Sequence, residues 1–201
     1  MPRLSELLAD DERERVARFR FDHLRRRFVV AHGFVRSILA GYVERQAHAL
    51  VFDVSDLGKP RLRDSDLQFN LSHSHEMAVM AIARHRVGID IEHIRRIADA
   101  EQIAERYFAP EEIEELRRAG ADGFFRCWTR KEAFIKAHGK GFSMPLRSFS
   151  VSVAGAARLL RADDDPARWT LADVEIVPGY VCAIAVEGGF ERLVVREWDS
   201  G

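Results

Sequence analysis

The stretch "RVGIDIEHIRR" at residues 86–96 narrows the folds open to this chain more than any other. Val87, Ile89 and Ile91 alternate with Gly88, Asp90 and Glu92, the period of a strand with one face in a core. Ile89 and Ile91 then enter that core, and the two carboxylates leave together on the opposite face. Burying one carboxylate is costly, and burying two is worse unless positive charge sits between them. Two carboxylates held about 5–7 Å apart on a rigid strand suit a hard divalent cation with oxygen ligands. A solvated edge strand explains an isolated Asp-x-Glu equally well, so the motif needs support from elsewhere.

Support comes from "FRCWTRKEAFIKAHGKG" at residues 125–141. Asp122 is expected to cap a helix that runs to about His138 and stops at Gly139, with Phe124, Trp128 and Ile135 on one face. Glu132 and Lys136 stand one turn apart on its same side. On an open surface that pair would be an ordinary ion pair worth a few tenths of a kcal/mol. The aromatic residues around it instead predict a buried, specified helix. Glu132 would complete a three-carboxylate magnesium site with Asp90 and Glu92, and Lys136 would neutralise phosphate charge. Such a set serves chemistry on a pyrophosphate, with metal and lysine on the oxygens and a carboxylate as base.

A third segment, "FNLSHSHEMA" (69–78), carries His73 and His75 at strand spacing. A zinc pair is conceivable, but no third ligand of matching type is at hand. The better reading has Ser72 and His73 donate hydrogen bonds to a phosphate, while Lys59 of the preceding "GKP" supplies a point charge. Between Arg13 and Arg36, eight arginines face only Glu14 and Asp22. That basic stretch would cover the same anionic ligand and greet an acidic partner.

The rest of the chain reads as α+β. Helices are expected over Leu4 to about Arg18, about Phe21 to Tyr42, and "APEEIEELRRAG", where Pro110 opens the first turn and Gly120 is the stop. Strands are expected in "HALVFDVSD", "LQFNLSHS", "MAVMAIARH", "RVGIDIE", "SFSVSV", "RWTLADVEIV", "YVCAIAV" and "ERLVVREW", with "LGKPRLRDSD" a loop and "RADDDP" a hairpin loop. "VMAIA" (79–83) resembles "VCAIA" (181–185), and "FVVAHG" (28–33) resembles "FIKAHG" (134–139). This duplication predicts two similar halves, residues 1–100 and 101–201, each a helix plus antiparallel strands, related by a pseudo-twofold. The cleft between them would hold the active site. With a net charge of −1, no bulk electrostatic argument favours nucleic acid or membrane. The charged N-terminus lacks a secretory h-region, and Cys127 and Cys182 read as buried free thiols, so a cytoplasmic protein is expected.

"GKP", "FNLSHS", "VGIDIE" and "WTRKEAFIKAHGKG", in that order, resemble the 4′-phosphopantetheinyl transferases of the larger, surfactin-synthetase-activating type. The resemblance is strongest from about Arg15 to Gly141. It implies transfer of the 4′-phosphopantetheine arm of coenzyme A to a serine of an apo carrier protein, with Mg²⁺, releasing adenosine 3′,5′-bisphosphate. It also implies an α+β pseudo-dimer built from one chain, so a monomer is expected. By the same resemblance Asp90, Glu92 and Glu132 are magnesium ligands, Glu132 is also the base for the carrier serine, and Lys136 lies near the transferring phosphate. Ser72, His73 and Lys59 would touch coenzyme A phosphates, Arg27 would grip the nucleotide end, and Arg15 would sit nearby. Two departures stand out: His75 replaces a glycine common after "SHS", and Glu12 falls where the family would favour a second lysine. A magnesium-dependent nuclease or other phosphodiesterase is the main competitor, but it normally places its lysine two residues after the glutamate on a strand. A non-catalytic nucleotide-binding module leaves the three carboxylates without a task.

Overall fold

The N-terminal helical pattern is broken by its own charges. In the computed structural model, which describes residues 4–119 and 121–198, a 3-10 turn at Leu4–Leu7 precedes α1 (Asp10–Arg18). A single helix from Leu4 was expected. Glu12 instead reaches back to the Ala9 N–H at 3.0 Å, one arm of a capping box that starts a new helix. α2 (Asp22–Val43) follows and ends at Glu44, which adopts a left-handed φ of 53°. The strand expected in "HALVFDVSD" shortens to β1 (Phe52–Val54), and the loop expected after it contains β2 (Pro60–Leu62), its antiparallel partner.

The chain divides into two compact units. The first contains the chain up to Val54, Pro60–Asp66, and the chain from Val194. Leu8, Leu39, Leu50 and Leu62 are buried there. Arg36 is buried with them and is satisfied by Glu12 Oε2 at 2.6 Å and by the Ala47 and Leu50 carbonyls at 2.7 and 2.8 Å. The His32 ring adds a 2.7 Å contact to Glu12 Oε1. Burial alone would raise the Glu12 pKa, but these partners and the Ala9 N–H hold it down at about 2. The acid that looked misplaced for a nucleotide contact is therefore the buried counterion of α2.

The second unit, Ser55–Lys59 with Leu67–Leu193, carries the remaining elements. β3 (Gln68–Ser74) and β4 (Met77–Ala83) form a hairpin turned by His75 and Glu76, and β5 (Val87–His93) follows. His75 has φ 53°, so the position where the family favours glycine does require a left-handed backbone. Then come α3 (Ala100–Tyr107), which the pattern did not announce, α4 (Pro110–Ala119) and α5 (Ala121–His138). Asp122 lies inside the first turn of α5 rather than at its cap, and Gly139 closes the helix in a left-handed conformation. Gly120 lies outside the described residues.

β6 (Ser150–Val151) pairs with β7 (Leu159–Arg161), and β8 (Trp169–Asp173) pairs with β9 (Tyr180–Glu187). "RADDDP" therefore joins strands of two different sheets and is not a hairpin loop. The strand expected in "ERLVVREW" does not form: Gly188 and Gly189, both at positive φ, turn the chain after β9, and Leu193, Val194 and Val195 are exposed. A strand needs a neighbour's backbone, and alternation says nothing about whether one is available.

The sheet β5–β9–β8 is antiparallel throughout and separates two cores. Val87, Ile89, Ile91, Cys182, Ile184 and Val186 face one core, as the alternation predicts. On the other face small residues stand opposite each other, Gly88 across from Ala185 and Asp90 across from Ala183. This face takes α5, whose Phe124, Phe134 and Ile135 join Ala183 and Ala185 in the second core. The fold is α+β with antiparallel sheets. No helix among the described residues is long and apolar enough to cross a membrane.

Candidate active site

The two motifs meet where β5 crosses under α5. Gly88 makes the crossing possible: a Cβ there would lie 2.2 Å from the Ala133 oxygen and 2.3 Å from the Ala137 nitrogen. The two backbones touch, so side chains one step away along each element are forced together. Lys136 reaches down to Asp90 Oδ1 at 2.6 Å, to Ser72 Oγ at 3.0 Å and to the Ile89 carbonyl at 3.3 Å. Glu132 is one turn earlier on the same side of α5.

Asp90 is 5% exposed, Glu92 is partly exposed, and both are on the α5 side of the strand. Burial raises the Asp90 pKa against the opposing pull of Lys136 and Ser72, and Glu92 raises it further. Glu132 is pushed up by burial, then by Asp90 and Glu92, with only Lys136 lowering it. Three carboxylates thus feel one another in a site that supplies one ammonium. They do not form a closed cage: among the described residues no group of three His, Cys, Asp or Glu side chains is drawn together tightly enough to hold a metal ion by itself. The donors nevertheless fit a hard dication. All three are carboxylates, and Asp90 Oδ2 is buried without a hydrogen-bond partner, a costly state that a cation would relieve.

Other predicted residues are engaged differently. Ser72 is buried, and its single O–H is donated to Asp90 Oδ1 at 2.9 Å. His73 is exposed and follows Ser72 on the strand, so the two side chains project to opposite faces of β3. Lys59 donates to the Val87 carbonyl at 2.9 Å and the Lys136 carbonyl at 2.7 Å, pinning β5 to α5 on either side of the Gly88 contact. Burial, and then Arg86, lower its pKa to about 8. His75, the other histidine at that end of β3, stacks on His93 with ring centres 4.9 Å apart. Arg15 and Arg27 belong to the first unit, where Arg15 lies 5.2 Å from the Phe28 ring centre and Arg27 is exposed on α2.

The cations next to Glu132 were not singled out in the sequence, and they serve the scaffold. Arg130 is fully buried and donates to Asp173, to the Ser152 and Gly155 carbonyls and to Ser152 Oγ. Lys131 is fully buried on Glu112, whose two oxygens lie 2.6 and 2.7 Å away, and on the Phe149 carbonyl at 2.8 Å. Of the three basic residues in "RKEAFIK", only Lys136 reaches the carboxylates.

With this geometry in place, the comparisons with known proteins agree on one family. Residues 86–185 match the model of the 4′-phosphopantetheinyl transferase superfamily, and residues 2–85 match that of the 4′-phosphopantetheinyl transferase N-terminal region. The chain belongs to the 4′-phosphopantetheinyl transferase superfamily. Its activity is 4′-phosphopantetheinyl transfer from coenzyme A to carrier proteins. The 4′-phosphopantetheinyl transferase HetI of Nostoc sp. is 40% identical over 194 residues, covering 91% of this chain and 79% of that protein. The transferase Sfp of Bacillus subtilis is 30% identical over 188 residues, covering 90% and 83%. The transferase psf-1 of Bacillus pumilus is 34% identical over 187 residues, covering 90% and 79%. The family boundary at residues 85 and 86 falls just before β5, so the Asp-x-Glu strand and the α5 motif both lie in the superfamily region.

Proposed function

We infer that the crossing of β5 and α5 is the catalytic centre, and that the transfer goes to a serine hydroxyl of an apo carrier protein with Mg²⁺ as cofactor. One observation carries this reading: Gly88 lets the backbones touch, so Lys136 lands on Asp90 while Glu132 senses both strand carboxylates. Asp90, Glu92 and Glu132 would hold the cation. When bound, Mg²⁺ would neutralise the pyrophosphate of coenzyme A. Glu132, its pKa raised by burial and by its acidic neighbours, is suited to accept the serine proton. The serine oxygen attacks the β-phosphorus, and the bond from that phosphorus to the bridging oxygen breaks. Adenosine 3′,5′-bisphosphate leaves, its new charge met by the Lys136 ammonium.

By the family resemblance, coenzyme A phosphate contacts are assigned to Ser72, His73 and Lys59, the nucleotide end to Arg27, and a place nearby to Arg15. Residues 1–100 then supply the nucleotide contacts and the metal strand, and residues 101–201 supply Glu132 and Lys136. The protein works as a monomer in the cytoplasm, without nucleic acid or membrane. The test incubates an apo carrier protein with this protein, coenzyme A and Mg²⁺ and weighs the product. A gain of about 340 Da, the mass of the added arm, is expected, and it should vanish with Asp90→Ala. No gain with the native protein, or an undiminished gain with the variant, defeats the assignment.

A further inference from the structure

Asn70, Ser72 and Ser74 alternate along β3 and face β5 across a gap that no backbone pairing closes. Asn70 Oδ1 accepts the Ile89 N–H at 2.8 Å, Ser72 Oγ the Ile91 N–H at 3.4 Å, and Ser74 Oγ the His93 N–H at 3.1 Å. Side chains thus satisfy the edge that a neighbouring strand would otherwise pair. An amide oxygen suffices for that purpose, as Asn70 shows. The two serines add a proton. Ser72 donates to Asp90 Oδ1 at 2.9 Å, and Ser74 donates to Glu92 Oε2 at 2.8 Å.

A hydroxyl has one donor and two acceptor positions. Ser72 fills all three, with Asp90, the Ile91 N–H and the Lys136 ammonium. We propose that Ser72 and Ser74 are positioning residues, each tying one oxygen of a strand carboxylate to the β5 backbone and leaving the other for the cation. This rests on the cation site inferred above. The Asp90 arrangement is the tighter of the two: Oδ1 is held by Ser72 and Lys136, and Oδ2 is buried without a partner. Glu92 is more exposed and is also reached by Arg95 at 3.4 Å, so Ser74 has the smaller effect. Outer partners that orient metal-binding carboxylates typically account for about 10–100-fold in metal affinity.

The experiment titrates Mn²⁺ into the protein with coenzyme A present and follows the free ion by electron paramagnetic resonance. The Asp90→Ala protein gives the baseline. Ser72→Ala and the nearly isosteric Ser72→Cys are expected to weaken Mn²⁺ binding about 10–100-fold. Ser72→Thr, which keeps the hydroxyl on a strand, should restore it, and Ser74→Ala should weaken it less. Thermal melts without metal show that each variant is folded, and if Ser72→Ala is not, Ser72→Cys decides. Native Mn²⁺ affinity in the folded Ala or Cys variant, or a loss in Ser72→Thr equal to that in Ser72→Ala, overturns the role of the serine alone. Native protein that binds Mn²⁺ no better than Asp90→Ala overturns the cation site itself.

Discussion

Replacing Gly88 with alanine tests whether the contact between β5 and α5 builds the site. The added methyl would lie 2.2 Å from the Ala133 oxygen, 2.3 Å from the Ala137 nitrogen and 2.8 Å from the Lys136 carbonyl carbon. All three are backbone atoms, so no side chain can swing aside. Going from 2.2 Å to an ordinary contact of 3.4 Å requires α5 to retreat by about 1.2 Å. The Lys136–Asp90 bond at 2.6 Å and the two Lys59 bonds at 2.7 and 2.9 Å all cross that junction. Overpacking of about 1–3 kcal/mol, with charged hydrogen bonds weakened at the same time, puts the expected loss of stability near 3 kcal/mol. For a chain of this size that is roughly 6–12 °C in Tm. A misplacement of about 1 Å should slow transfer about 100-fold. Calorimetry and timed mass spectrometry of the carrier protein read the two effects. A Gly88→Ala protein with native Tm and native rate would show that the close approach does not position the site.

Three further outcomes are expected. Lys131→Met strands the Glu112 carboxylate, buried with the lysine and otherwise held only by the Ala109 and Val151 N–H groups, and should cost about 3–5 kcal/mol. Adding Glu112→Gln should recover part of that in denaturant titrations, and strictly additive losses would mean the pair is not coupled. In the first unit the Glu12 pKa falls from 4.5 to about 2, so its contribution is fully present above pH 4.5 and disappears as pH drops through about 2. That shift is worth up to about 3 kcal/mol, and Glu12→Gln should flatten the acid limb of the stability curve, which an unchanged limb would contradict. Lys136→Ala should lower kcat much more than it weakens coenzyme A binding measured by calorimetry, and unchanged turnover would remove Lys136 from the phosphate.

Much of the scaffold could be read before folding. Alternation placed β3, β4 and β5, and Pro110, the basic last turn and Gly139 marked α4 and α5 within a residue or two. The signals that failed were those that depend on a neighbour. "ERLVVREW" alternates as a strand should but has no partner, and β2 arises in a turn-rich loop only because β1 lies alongside it. α3 was missed because its short apolar stripe, Ala100, Ile103 and Ala104, finds its core only in the folded chain. For the site, the pattern Asn70-x-Ser72-x-Ser74 was visible as polar alternation on one strand face, although its targets on β5 were not.

Local spacing alone shows which chemical groups this chain can bring together: carboxylates two apart on a strand, and a glutamate and a lysine one turn apart on a helix. It could not separate the cation that meets Asp90 from those that answer scaffold acids. Arg130, Lys131 and Lys136 are equally charged in the primary structure, but the first answers Asp173 and the second Glu112, partners 43 and 19 residues away. Rotation of about 100° per residue sends each to a different face of α5. Which face meets the carboxylates depends on where the helix lies on the sheet, and Gly88 and the small residues beneath α5 decide that only once the chain has folded.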